Sequence, residues 1–293
     1  MERDEYLAGE FEEHRGHLKA VAYRMLGSMP EAEDAVQESW LRLHRSDEEG
    51  IDNLGGWLTT AVARVSLDML RARRGRRDDP FQEERLPEPL VAREGALDPE
   101  HEALLADSVG LALLVVLETL TPAERLAFVL HDMFSVPFSE VATIMGRSPE
   151  AARQLASRAR RRVRGSAPVP DPDLRRQREV ADAFIAASRD GRFEDLVALL
   201  DPDVVLRVDS GAGIAPTAVR GAETVAKQAS AYASLAAFAQ PALVNGVAGV
   251  VVARDGAPIA VAAISVADGR IVEMDFLTDP ERLANLDLSD FGV

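Results

Sequence analysis

Apolar residues recur three and four positions apart from the start of the chain. Leu18, Val21, Ala22, Met25 and Leu26 share one side of a helix, and Gly27 stands where it ends. A second helix is predicted in MPEAEDAVQESWLRLHR, where Pro30 suits a first helical position, Glu31, Glu33 and Asp34 the first turn, and Arg42 and Arg45 the last. IDNLGG reads as a turn, and a third helix runs from Trp57 to about Arg74, ending in RARRGRR. Residues 78–101, rich in proline and acid, have no sustained period and read as a linker. Helical pattern resumes at about Glu102. In TPAERLAFVLHDMF it has a capping box, with Thr121 as N-cap and Glu124 three residues on. PFSEVATIM is a short helix, Gly146 suits a left-handed turn, and Ser148 and Pro149 open the helix that follows.

After a second linker at 166–173 the pattern changes. Residues 174–200 are helical, DVVLRVD reads as a strand, and GAETVAKQASAYASLAAF reads as a helix. Three runs, ALVNGVAGVVVAR, APIAVAAISVA and RIVEMDFL, are rich in small and β-branched residues and are separated by Asp255-Gly256 and Asp268-Gly269, strong hairpin signals. The expected architecture is a three-helix domain over 1–77, a helix-turn-helix domain over 102–165 and an α+β domain over 174–293.

Composition sharpens this. The 293 residues carry a formal net charge of −16 with no cysteine, which excludes disulfides, thiolate metal sites and a cysteine nucleophile. The N-terminus is charged where a signal peptide would be apolar, and no apolar run is long enough for a membrane span, so a cytoplasmic protein is expected. Lys19 and Lys227 are the two lysines, so positive charge is almost entirely arginine, the better residue for bidentate contact with phosphate and guanine.

The arginines are concentrated in two places. In the helix opened by Ser148 and Pro149, Ala152, Leu155, Ala156, Ala159 and Val163 form a narrow apolar stripe that leaves Arg153, Gln154, Ser157, Arg158, Arg160 and Arg161 outward. A capped second helix with such a face is the skeleton of a major-groove reader. RARRGRR is the other concentration, and by itself a helix end that suits cations. In the second helix Glu33, Asp34, Gln37 and Glu38 share a face opposite Val36, Trp40 and Leu43, a surface for either solvent or a partner.

YRMLGSMPEAEDAVQESWLRL followed by WLTTAVARVSLDMLRARR resembles domain 2 of extracytoplasmic-function sigma factors, and LTPAERLAFVLHDMFSVPFSEVATIMGRSPEAARQLASRARRR resembles their domain 4. The resemblance implies two partners, promoter DNA and core RNA polymerase, the latter through the β′ clamp helices and the β flap. It assigns Glu33, Asp34, Gln37, Glu38, Trp40 and Leu41 to polymerase. To the −10 element it assigns Trp57, Arg64, Asp68, Arg71, Arg73 and Arg74, with arginine at 64 where many members have asparagine. To the −35 element it assigns Ser148, Arg153, Gln154, Ser157, Arg158 and Arg161.

The C-terminal domain resembles the SnoaL-like fold, a cystatin-like α+β cone that extends a subgroup of these factors and sets their activity in cis. Three signatures of the subgroup are matched in altered form. LPEPL (Leu86, Pro87, Glu88, Pro89, Leu90) follows Arg85 where tryptophan is usual. DSGAG (Asp209, Gly211, Gly213) stands for a glycine-richer loop, and TDPERL (Asp279, Pro280, Leu283) for an Asn-Pro-Asp-Lys-Leu type. All five histidines precede this domain, so it has no Asp/His pair for proton transfer; a carboxylate pair drawn from Asp209, Glu273 and Asp275 and a small-molecule pocket between the strands both stay open. The expectation is a monomeric, non-enzymatic promoter-specificity subunit that needs neither metal nor cofactor. A stand-alone helix-turn-helix regulator with a ligand-sensing domain is the alternative, and an enzyme built on the third domain is the remaining one.

Overall fold

The computed structural model describes residues 2–45, 53–75, 85–93, 110–166, 169–211 and 214–293. They fold as two compact units, Met1–Asp78 with Val116–Ser166 and Asp79–Val115 with Ala167–Val293. The expected onset of helix at Glu102, the ends of the first linker, Arg76 and Arg77 of RARRGRR, and Gly213 lie outside the described residues.

The first unit is helical. Its helices are α1 (Glu2–Leu26), α2 (Met29–Arg45), α3 (Leu54–Gly75), α4 (Leu111–Glu118, within which the division falls), α5 (Pro122–Phe128), α6 (Phe138–Met145) and α7 (Pro149–Ser166). The expected stripe of α1 is core, since Leu18, Val21, Ala22, Met25 and Leu26 are all buried. Helix α3 starts earlier than expected, with Leu54, Gly55 and Gly56 in its first turn. There Asn53 accepts from the Gly56 amide at 3.0 Å and supplies the missing cap. The capping box at α5 is complete: the Glu124 amide donates to Thr121 Oγ1 and the Thr121 amide to Glu124 Oε2, each at 3.2 Å. A π-helical turn, Val129–Met133, follows α5. Gly146 closes α6 at φ +63°, a left-handed conformation that glycine adopts without the steric cost of a Cβ.

The second unit lays α8 (Leu174–Arg189), α9 (Phe193–Leu199), α10 (Ala222–Ala231) and α11 (Ala233–Ala236) with one seven-stranded sheet and a short α12 (Pro280–Leu283). The run read as a single helix from Gly221 to Phe238 is broken at Tyr232. The strands are β1 (Val91–Ala92), β2 (Leu200–Asp209), β3 (Thr217–Arg220), β4 (Ala239–Val244), β5 (Val247–Arg254), β6 (Ala257–Ala267) and β7 (Arg270–Leu277), in the order β1-β4-β5-β6-β7-β2-β3. Among the described residues β2–β7 is the parallel pair and the other pairs are antiparallel. On one face Leu206, Ile264 and Met274 pack with Ala181 and Phe184 of α8, Leu196 of α9 and Val225 of α10.

This sheet corrects the expected cone. It is open, ending in β1 at one edge and β3 at the other, and is not curled shut; a SnoaL-like cone is therefore not its form. The two Asp-Gly turns are present, with φ of +55° and +75° at Asp255 and Gly256 and of +51° and +74° at Asp268 and Gly269. A third, Asn245-Gly246, divides what reads as the single run ALVNGVAGVVVAR into β4 and β5. Where β5 crosses β6 and α8, a Cβ on Gly249 would lie 2.4 Å from the carbonyl oxygen of Ala262, so the strand pairing needs glycine there.

Candidate functional site

Helix α7 sorts its residues as the spacing requires. Ala152, Leu155, Ala156 and Ala159 are buried, whereas Arg153, Gln154, Ser157, Arg158 and Arg161 are exposed. Ser148 caps the helix, its Oγ accepting from the Ala151 amide at 3.2 Å. Two arginines are turned to structural use: Arg160 pairs with Asp132, and Arg162 with Glu124 at 3.3 Å. Glu124 also lies 3.8 Å from Arg158. Burial pushes the Glu124 carboxyl up, but the Thr121 hydrogen bonds and the charges of Arg162 and Arg158 outweigh it and hold the group below the usual range. Arg153 rests against Glu150 at 3.4 Å and over the Phe138 ring. The result is an exposed arginine face on a helix fixed by caps at its start and ion pairs along its side.

On α3, Arg64, Asp68 and Arg71 are exposed at i, i+4 and i+7, a surface stripe. Asp68 pairs with Arg71 at 3.5 Å, and Arg64 donates to the Thr143 carbonyl at 3.5 Å. Trp57 is half-buried. Arg73 is differently employed, donating to the Leu26 carbonyl at 3.2 Å and pairing with Glu31, and Arg74 donates to the Leu120 carbonyl at 3.4 Å. A residue the spacing did not single out, Arg125, is 2% exposed and ties α5 to α1: it donates to the Met25 and Leu117 carbonyls at 2.8 and 2.9 Å and pairs with Glu118.

Helix α2 exposes Glu33, Asp34 and Gln37, with Glu38 half-buried and bound to Arg42 at 3.0 Å. Val36 and Leu43 are core, as the two-faced reading expects. Trp40 packs on Phe11 and His44 with ring centroids 4.8 and 4.6 Å away, and Leu41 is exposed. Between α1 and α2 lies a groove of about 480 Å³ lined by Phe11, Arg15, Lys19, Glu33, Val36, Gln37 and Trp40 among others. It offers both charge signs and an aromatic floor.

In the second unit the three short signatures meet at one carboxylate. Asp209 is fully buried, and each of its oxygens accepts twice. Oδ1 takes Arg85 at 2.6 Å and the Gly211 amide at 3.2 Å, and Oδ2 takes Arg282 at 2.6 Å and the Leu86 amide at 3.0 Å. Arg282 also donates to the Leu86 carbonyl at 2.7 Å, so the linker backbone is held at both its N–H and its C=O. Asp279 caps α12, and a Cβ on Gly211 would lie 2.6 Å from its Oδ2, which together with φ +103° demands glycine. Leu86, Pro87, Pro89 and Leu90 are buried, as is Leu283, while Glu88 is half-buried and Pro280 exposed. Beyond them Leu90 and Asn245 exchange hydrogen bonds, Leu90 N–H to Asn245 Oδ1 at 3.1 Å and Asn245 N–H to the Leu90 carbonyl at 2.8 Å, and β1 then adds to the edge of β4.

Sequence reasoning met Arg85 only as a departure from tryptophan and passed over Arg282 and Asn245. The lysine position of the signature was the available signal for Arg282. Of the three acids considered as a pair, Asp209 stands apart, whereas Glu273 and Asp275 share Arg207. Among the described residues no three side chains gather to hold a metal ion, and no helix is long and apolar enough to cross a membrane.

Residues 11–76 match the family model described as Sigma-70 region 2, and residues 110–163 that described as Sigma-70, region 4. The ECF RNA polymerase sigma factor SigJ of Mycobacterium tuberculosis is 40% identical over 301 residues, 96% of this chain and 94% of that protein. A probable ECF RNA polymerase sigma factor of the same species, SigI, is 34% identical over 284 residues, 97% of each. The crystal structure of the SigJ factor matches with a TM-score of 0.78 at 37% identity, over 96% of this chain and 99% of that one.

Proposed function

The chain belongs to the extracytoplasmic-function RNA polymerase sigma factors, and we propose from that premise how its parts divide the work. As such a factor it binds RNA polymerase and recognises promoters through regions 2 and 4, without catalysis of its own. Region 4 reads the −35 element with Arg153, Gln154, Ser157, Arg158 and Arg161 from the exposed face of α7, and Ser148 serves it by fixing the helix start. Region 2 meets the −10 element with the Arg64, Asp68 and Arg71 stripe and Trp57, while Arg73 and Arg74 hold the helix in place. Glu33, Asp34, Gln37, Glu38 and Leu41 of α2, with Trp40 at the groove, form the polymerase contact on the β′ clamp helices, and region 4 takes the β flap.

The observation that carries this reading is the capped α7 with five exposed reader side chains and a buried alanine-leucine stripe beneath them. A net charge of −16 completes it. Such a chain does not cling to DNA through a general field, so promoter binding awaits docking on polymerase. The work this implies places the protein in the cytoplasm. The purified chain is expected to form a complex with core polymerase and to direct transcription from a cognate promoter in a reconstituted assay; absence of a complex would replace this reading with a stand-alone regulator.

The C-terminal α+β region acts in cis on the linker between regions 2 and 4, through the Asp209 clasp and the Asn245 exchange. Removing residues 174–293 is expected to change promoter output at equal protein level. An unchanged output would assign the region another task.

A further inference from the structure

One buried charged group has no part in the clasp. Arg207 of β2, facing Asp275 across the parallel pair, binds Asp275 at 3.0 Å and also pairs with Glu273, two residues earlier on β7. Both carboxylates are buried, at 3% and 1% exposure, and Asp275 Oδ2 has no hydrogen-bond partner. Among the described residues no further cation pairs with either acid. Strand β6 presents Ala263 and Ser265 opposite the two acids, and β3 places Arg220 opposite Val205 on the same face, exposed. The next charges along that face are Asp209 with Arg85 and Arg282, already committed to one another.

Two buried carboxylates on a single guanidinium leave one negative charge without compensation. A buried orphan oxygen costs more ionised than protonated. We propose that Arg207, Glu273 and Asp275 form a proton-binding site, with the bound proton on Asp275, and that releasing the proton loosens β2 against β7 beside the Asp209 clasp. The link to the clasp is structural. Arg207–Asp275 and Asp209–Leu277 are pairs of the same two strands with Val208–Phe276 between them, and the Thr278 amide donates to the Asp209 carbonyl at 2.8 Å. Burial, with Glu273 adding to it against the opposing pull of Arg207, pushes the Asp275 carboxyl up to about 7 from an ordinary 3.8. Between those values the folded chain holds a proton that the unfolded chain has lost. The stabilisation is therefore complete on the acid side and is lost as pH rises through about 7.

The test uses the full chain with its aspartate side-chain carboxyl carbons labelled with carbon-13, the Asp275 signal being assigned by its loss in Asp275→Asn. A titration midpoint near 7 is expected, and one below about 5, the range of an ordinary carboxylate, overturns the proposal. Where Asp275→Asn does not fold, the aspartate signal that titrates near 7 in the parent chain is followed in Glu273→Gln instead. It should lower the midpoint of Asp275, and an unmoved midpoint counts against the shared site. For the clasp, Leu86 amide protection, corrected for intrinsic exchange, is expected to fall on the order of tenfold between pH 6 and 8 in the parent chain and to stay level in Asp275→Asn. Equal behaviour of the two chains would sever the site from the clasp.

Discussion

Replacing Asp209 with alanine is expected to destabilise the C-terminal unit by about 3–5 kcal/mol, the range for removing one partner of a buried ion pair. The carboxylate is fully buried and takes all four of its hydrogen bonds from Arg85, Arg282 and the Leu86 and Gly211 amides. Without it two guanidinium groups face each other with no anion between them, and two amides lose their acceptor. At about 2–4 °C per kcal/mol for a unit of this size, the melting transition of the unit should fall by roughly 6–20 °C in calorimetry. The linker should feel the loss as well, because Arg282 bridges from Asp209 to the Leu86 carbonyl. A double variant, Asp209→Asn with Arg282→Met, is expected to be less destabilised than the sum of its single changes, since removing both charges leaves less buried charge unpaired. An alanine variant that melts within about 1 °C of the parent would show that the four contacts carry no net stability and that the linker is held by the Asn245 exchange and strand β1 alone.

What the sequence made legible depended on the range of each interaction. The caps of α5 and α7 join residues three apart, Thr121 with Glu124 and Ser148 with Ala151, so a short window contains both partners. The left-handed Gly146 and the two Asp-Gly turns are equally local. Asn245-Gly246 carried the same kind of signal and was read through, because the apolar residues on either side continue as one run. The clasp was beyond reach for a different reason. Arg85 and Arg282 lie 124 and 73 residues from Asp209 in the chain, and no periodicity relates either to it. Sheet closure failed on the same ground. Alternation of side chains shows that a strand is half-buried, but whether a sheet shuts depends on tilt, stagger and what pairs with the terminal strands. Here the terminal strands are β3 and the two-residue β1, the latter drawn from the linker rather than the domain itself. Of the −10 candidates, Arg73 and Arg74 looked the same as Arg71 in sequence. Arg73 is half-buried with bonds to the Leu26 carbonyl and Glu31 that helix packing sets, whereas Arg74 donates to the Leu120 carbonyl and stays exposed like Arg71.

The double change Arg153→Ala and Arg158→Ala is expected to abolish measurable use of the −35 element while leaving the complex with core polymerase intact. Both side chains are exposed on α7, and neither sits in the buried stripe that holds the helix, so the fold should persist. A good bidentate contact between arginine and guanine contributes about 1–3 kcal/mol of discrimination, and two lost contacts multiply to a factor of about 30 to 20,000 where both read bases. The two residues are separable by their neighbours. Arg153 has Glu150 and the Phe138 ring beside it, so it is presented from the helix start, whereas Arg158 lies near Glu124, the acid that also holds Arg162 and caps α5. Glutamine at 124 should therefore affect Arg158 more than Arg153, because it keeps hydrogen-bonding capacity at the cap and removes the charge. The measurement is competition binding of the polymerase holoenzyme to promoters altered one base at a time in the −35 element, repeated at several salt concentrations. Loss of discrimination at particular bases marks base readers, whereas weakening that is uniform across sequences, with a shallower salt slope, marks phosphate contacts. Loss of the polymerase complex in the double variant would reassign this face of α7 from DNA to protein.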